Sequence, residues 1–162
     1  MAQYYEVVVF SDAQVTYVEP IVDGLDPKKQ FVAYRLYRDA TKYMDGVHVR
    51  DLSKLNRDLS RVVLVSAKPT AYRLQPENAL RIKPWRMEQN DTALLDLMPL
   101  LESIVRQQVP DVRTVMASFK GVDAEDIPKE FRERHQRMMQ QRQQLKERGP
   151  ARRLGFLRGA GS

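Results

Sequence analysis

Tyr5-Glu6-Val7-Val8-Val9-Phe10-Ser11-Asp12 is the stretch on which the reading of the fold turns. Its β-branched and aromatic run does not alternate with polar residues, which is the pattern of a strand covered on both faces. Ser11-Asp12 directly after it is a helix-capping pair. Val15, Val18, Ile21, Val22 and Leu25 then recur at helical spacing, so a helix is predicted from Gln14 to Leu25. Pro20 falls late enough to kink that helix without forbidding it, and Asp26-Pro27 closes it. A buried strand leading into a helix is the repeating unit of an α/β domain.

Working outward, Phe31 to Tyr37 reads as a strand. Tyr43 to Val49 reads as another, with Asp45-Gly46 as a turn signal inside it, so a hairpin or a pair of extended arms is expected between Phe31 and Val49. Asp51 to Leu55 reads as one capped helical turn. Val62 to Val65 is a second buried strand, broken by Lys68-Pro69-Thr70, and Ala79 to Ile82 is a brief third. The strongest helix runs from Asn90 to Gln108, with Leu94, Leu97, Met98, Leu101, Ile104 and Val105 on one stripe and a bend expected at Pro99. Val112 to Phe119 makes a short helix. Ile127 to Arg148 makes a polar one with a seam of Phe131, Met138 and Leu145. Short buried strands alternating with helices predict a mostly parallel sheet. In such sheets the crevice lies at the carboxyl ends of the strands, here Ser11, Asp12, Ser66 and Ala67.

Composition narrows the function. The 162 residues suffice for one core, and 43 % apolar with 30 % charged residues is ordinary for a folded protein. No apolar run approaches the roughly 20 residues of a membrane-spanning helix. The start of the sequence reads neither as a signal peptide nor as a transit peptide. Cysteine is absent, which excludes disulfides, thiolate metal sites and Cys nucleophiles. His48 and His135 lie far apart and have no partner at metal-ligand spacing, so no metal site is read. Of the net charge of +6, the residues from Pro128 onward hold ten Lys/Arg against three Glu, leaving residues 1–127 at −1. A basic tail on a near-neutral domain argues against nucleic-acid binding, which wants a basic face on the folded part.

Two stretches carry a specific resemblance: Gly46-Val47-His48-Val49-Arg50-Asp51-Leu52-Ser53-Lys54-Leu55-Asn56-Arg57-Asp58-Leu59, and Leu74-Gln75-Pro76-Glu77-Asn78-Ala79 followed by Pro84-Trp85. With Tyr5 to Ser11 they resemble the FCP-type domain of the haloacid-dehalogenase superfamily. More closely, they are similar to the presequence-receptor subunit of the mitochondrial inner-membrane translocase, the Tim-fifty family. Asp111-Val112-Arg113-Thr114-Val115 and the Gln/Arg-rich helix after Phe131 extend the similarity, which covers roughly residues 4–148. The resemblance implies an α/β, HAD-like (Rossmannoid), mostly parallel sheet flanked by helices, with a β-hairpin insertion and a C-terminal helical extension. The domains expected are a partial FCP-type domain (1–120), the helical extension (121–148) and a basic disordered tail (149–162). Family members carry a strand and helix before the position of Tyr5. The expectation is therefore a fragment or truncated gene model whose first, central strand is missing, or is supplied by another chain.

The enzymes of that superfamily transfer a phosphoryl group through an aspartate nucleophile and magnesium. The resemblance implies four parts: an Asp-x-Asp after the first strand, a Ser or Thr after the second, a Lys that neutralises phosphate, and a later metal-binding Asp. No Asp-x-Asp precedes Tyr5. Ser11 fits the hydroxyl position, and Arg50 stands at the Lys position with a different geometry. Ser66 stands where the metal-binding Asp belongs, and a neutral hydroxyl is a poor magnesium ligand. Ser11, Arg50 and Ser66 are thus degenerate phosphatase positions, with no catalytic residue, no metal and no cofactor expected.

The function implied is a non-catalytic receptor or scaffold for basic presequences and translocase channel subunits. Its place would be the inner membrane, facing the intermembrane space and anchored by an upstream span. A receptor for basic amphipathic helices needs apolar contacts with acidic rims. Asp51 is the first candidate rim acid, with Asp58, Glu77 and Asp91 after it. Tyr34, Leu36, Tyr37 and Tyr43 are candidate apolar contacts for presequence or channel subunit. The alternative is a magnesium-dependent FCP-type phosphatase whose nucleophile a further N-terminal strand restores. A third reading, nucleic-acid binding through Pro128 to Arg158, is weakened by Glu130, Glu133 and Glu147 and by the lack of aromatic interleaving.

Overall fold

The computed structural model describes residues 1–147. The chain falls into two units, Met1–Pro128 and the segment that starts at Lys129. The expected tail at 149–162 and the helix end at Arg148 lie outside the described residues.

The first unit is a mixed α/β structure. Strand β1 (Val8–Phe10) leads into helix α1 (Val15–Leu25), which returns to β2 (Tyr34–Leu36). β1 and β2 pair in parallel with Val8 opposite Tyr34 and Phe10 opposite Leu36. Asp26 ends α1. Its N–H donates to Val22 O at 2.8 Å, and its carboxylate accepts from the N–H groups of Gln30, Phe31 and Val32 at 2.8–2.9 Å. The side chain is only 1 % exposed, so those three bonds are what make its burial tolerable.

β3 (Lys42–Met44) and β4 (Val47–Val49) are antiparallel, Lys42 opposite Val49 and Met44 opposite Val47. The sequence reading made Tyr43–Val49 a single strand. The structure splits it at Asp45 (φ 50°) and Gly46 (φ 80°), whose left-handed conformations make the two-residue turn that matches strand twist. A 3₁₀ turn at Leu52–Leu55 and another at Leu59–Arg61 precede β5 (Leu64–Ser66), which pairs in parallel with β6 (Ala79–Arg81). Every strand is three residues long. The single sheet expected from the sequence is present as separate pairs: among the described residues β1 bonds to β2 alone and β5 to β6 alone.

Helix α2 (Ala93–Arg106) runs on past Pro99, and α3 (Val112–Ser118) follows it. The buried face of α2 is Leu97, Leu100 and Ile104. That face is rotated from the predicted stripe, so Leu94 falls outside it and is 67 % exposed. With Val49, Leu52, Leu80, Val112 and Ile127 these residues form the core. Each buried Leu or Ile contributes about 1.5–3 kcal/mol. Asn78, wholly buried, holds the turn at Leu59–Arg61 in place by donating to Leu59 O at 2.6 Å and Val62 O at 2.7 Å. Arg81 ties β6 to the carbonyls of Phe119 and Val122. Tyr5 Oη donates to Leu101 O at 2.6 Å.

Helix α4 (Ile127–Glu147) reaches into the second unit. There Phe131 stacks on His135, and Arg134 donates to Glu130 at 2.6 Å, one turn away. Met138, Met139 and Leu145 are exposed.

Candidate functional site

The segments that follow β1, β4 and β5 bring Asp12, Arg50 and Lys68 together, with Ser11 next to Asp12 in sequence and Ser66 two residues before Lys68. Ser11 N–H donates to Leu36 O at 2.8 Å, which extends the ladder and fixes the exit of β1. Arg50 N–H donates to Ala71 O at 3.3 Å. The Arg50 side chain lies 10 % exposed. Its Nε donates to Phe10 O at 2.6 Å, its Nη2 lies 3.5 Å from Asp12 Oδ1, and its guanidinium carbon is 5.9 Å from the Phe10 ring centroid. Lys68 Nζ reaches Asp12 Oδ2 at 3.0 Å from the other side. One carboxylate therefore stands between two cations.

The electrostatics follow from that arrangement. Burial pushes the Asp12 carboxyl up, but the Lys68 hydrogen bond, a local backbone bond and the two cations outweigh it and leave it below the usual range. Burial pulls the Arg50 guanidinium down from its ordinary value, and Asp12 opposes the pull. Ser11 Oγ accepts from Ala13 N–H at 3.1 Å and Ser66 Oγ from Lys68 N–H at 3.3 Å, so both hydroxyls serve the backbone turns after their strands. Magnesium wants several carboxylate or carbonyl oxygens in near-octahedral array. Among the described residues no three Asp, Glu, His or Cys side chains are grouped to hold a metal. The one carboxylate here, Asp12, already accepts from Lys68 through both oxygens. These residues do not fit the ion that the superfamily chemistry uses. In the crevice the charges of Asp12, Arg50 and Lys68 engage one another.

Of the expected phosphatase positions, Arg50 reaches Asp12 beside Ser11, and Ser66 lies two residues before Lys68, which reaches the same carboxylate; the candidate binding residues lie elsewhere along the first unit. Asp51 caps the turn Leu52–Leu55, accepting from Ser53 N–H, Ser53 Oγ and Gln75 Nε2, which hold its carboxyl low. Asp58 caps the next turn through Ser60 N–H at 2.9 Å. Asp91 accepts from Ala93 N–H at 2.8 Å and pairs with Lys83 at 3.1 Å. Glu77 is exposed in the turn before β6. Tyr34 on β2 and Tyr43 on β3 are 54 % and 66 % exposed, Tyr43 lying 5.0 Å from the His48 ring. Leu36 is half-buried in β2. Tyr37 follows it with its hydroxyl enclosed and unbonded among the described residues. Lys68 was not singled out from the sequence. Its signal was there: a cation two residues past a buried strand, level with Asp12 past the other.

A family model described as NLI interacting factor-like phosphatase matches residues 1–113. The chain belongs to this family. Within curated relatives, the chain is 48 % identical over 134 residues to the mitochondrial import inner membrane translocase subunit TIM50 of Arabidopsis thaliana, covering 83 % of this chain and 35 % of that protein. It is 45 % identical over 145 residues to the protein of the same name from Mus musculus, covering 89 % of this chain and 40 % of that one. The Kluyveromyces lactis protein of that name is 44 % identical over 136 residues, covering 84 % and 28 %. The chain thus spans well under half the length of these family members.

Proposed function

We propose that this protein is a non-catalytic subunit of the protein-import machinery of the mitochondrial inner membrane, a receptor that binds basic presequences and docks on translocase channel subunits. Its place is that membrane, on the intermembrane-space side. Among the described residues no helix is long and apolar enough to cross a membrane. Relatives bearing the import-subunit name support the role. One observation carries the non-catalytic half: the Asp12 carboxylate sits between Lys68 at 3.0 Å and Arg50 at 3.5 Å, in the place where a phosphoryl group would need those cations. Ser66 adds only a neutral oxygen at the end of β5. An enzyme handling phosphate requires its cations open to substrate; here the chain's own carboxylate engages them.

Binding follows from charge and exposure. A presequence is a cationic amphipathic helix, so its receptor offers apolar side chains beside acids. Of the candidates, Tyr34, Tyr43 and Glu77 are the most available, while Asp51, Asp58 and Asp91 cap turns and Leu36 and Tyr37 pack inward. The test pairs two measurements on the full chain. A labelled presequence peptide is titrated at rising salt, and a phosphoserine peptide is offered with magnesium. Binding that weakens with salt, without turnover, supports the proposal. Salt-indifferent binding or absent binding overturns the receptor role, and steady phosphate release overturns the non-catalytic one.

A further inference from the structure

A second region has features that the strand-end crevice lacks. A cavity of about 250 Å³ lies between the end of β6, the start of α2 and the turn before α4, with Lys83, Ala93, Asp96, Leu97 and Glu125 among its walls. Residues 82–97 and 121–128, which frame it, contain Glu88, Asp91, Asp96, Asp123, Glu125 and Asp126 against only Lys83 and Arg86. This is a strongly acidic district on a chain whose net charge is +6. Lys83 pairs with Asp91 at 3.1 Å and Glu88 at 3.4 Å, and Asp96 accepts from Thr92, so the acids that set the character of this region are Asp123, Glu125 and Asp126. Glu125 is exposed and makes no ion pair among the described residues.

The same stretch leaves large apolar side chains in water. Trp85, Met87, Leu94 and Leu95 are 69 %, 79 %, 67 % and 64 % exposed within eleven residues of sequence. Exposed apolar groups scattered singly need no explanation, but four within a short stretch whose Ile82, Lys83, Thr92 and Ala93 line the cavity mark a contact surface. The cavity is smaller than the roughly 300–1,000 Å³ of small-molecule sites, which suits one inserted side chain rather than a whole ligand.

We infer that this surface beside the start of α2 is where a cationic amphipathic peptide docks, its apolar face on Trp85, Met87 and Leu94 and one basic side chain in the cavity beside Glu125. The occupant is chosen by complementarity. The acid surplus turns away nucleic acid and anionic lipid, and the apolar residues ask for an apolar face beside the cations. The inference rests on the receptor reading above and gives it a location on a different part of the domain from Tyr34, Tyr43 and Glu77.

Trp85 is the only tryptophan of the chain, so its emission reports on this surface alone. A tryptophan-free cationic amphipathic peptide titrated into the full chain moves Trp85 emission to shorter wavelength as the indole leaves water; the same peptide with its lysines exchanged for glutamates does not. Anisotropy of a labelled copy of the cationic peptide gives binding independently. Trp85→Ala, and separately the pair Asp123→Lys and Glu125→Lys, each weaken it about tenfold. Peptide that binds by anisotropy while Trp85 emission stays still and both variants bind normally overturns this location and leaves the receptor reading intact. Peptide that does not bind overturns both. Emission that moves with protein concentration alone assigns the surface to a second copy of the chain and overturns the peptide.

Discussion

At the strand ends every charge faces its opposite: Asp12 meets Lys68 and Arg50, and Arg50 also spends its Nε on Phe10 O. Beside α2 the acids Asp123, Glu125 and Asp126 make no ion pair among the described residues, and four large apolar side chains lie open. Both regions hold charged residues near a depression. The difference teaches that charge count does not locate a binding surface; what matters is which groups are left over once internal partners are satisfied. A partly buried cation already bonded to its own chain must be stripped before it can bind anything else, and stripping leaves an unpaired group in low dielectric. An exposed acid or indole carries no such cost.

The largest effect expected is under the second region. Leu97 is 1 % exposed and also walls the cavity, so Leu97→Ala costs about 2–5 kcal/mol in denaturant unfolding. A loss below about 1 kcal/mol would mean that the cavity collapses freely and is no fixed feature. Next comes the crevice. Arg50→Ala removes the donor to Phe10 O and one partner of Asp12, and costs about 2–3 kcal/mol by the same measurement. It leaves presequence affinity unchanged, and a variant that lost peptide binding without losing stability would merge the two regions into one. The smallest effect is on pH dependence. The folded pKa of Asp12 is depressed, so its contribution is present above the unfolded carboxylate value of about 3.9 and is lost as pH falls through the lower folded value. Asp12→Asn therefore flattens the acid limb of the stability curve and costs at most about 1 kcal/mol at neutral pH, because Asp12 is partly exposed.

Much of this was legible in the sequence, and the exceptions have physical reasons. Unbroken apolar runs located β1 and β5, but the burial on both faces expected from them is not found, since every residue of the two strands is only half-buried, and three-residue strands fall below the run length that fixes their ends. Asp45-Gly46 carried the turn, and only the backbone conformation at both positions revealed that it divides two strands. Leu94 was misplaced because a helical stripe gives the period of a face and leaves its exact centre to tertiary packing. Arg50 meets Asp12, the neighbour of Ser11, and Lys68, two residues past Ser66, meets the same carboxylate. The rim acids did not come together for a local reason. Asp51-Leu52-Ser53 and Asp58-Leu59-Ser60 are both capping sequences, in which the carboxylate serves the N–H two residues on. The capped turn at Asp51 is legible in the sequence; the same pattern at Asp58 marks it as a second capping acid. The surface beside α2 was invisible for the opposite reason, since Leu94 lies on the apolar stripe and Trp85 belongs to the resemblance motif, and only their fractional exposure of 67 % and 69 % shows them open to water.

Asp26 sets a limit on how far this region of the chain can vary. Two oxygens on the shortest acidic side chain serve three consecutive amides. Asparagine would turn one of those acceptors into a donor, glutamate would overshoot by a methylene, and serine has a single oxygen. A position with three addressees and one permissible sender leaves no chemical synonym. Drift in α1 or in the approach to β2 must therefore arrange itself around an unchanging aspartate.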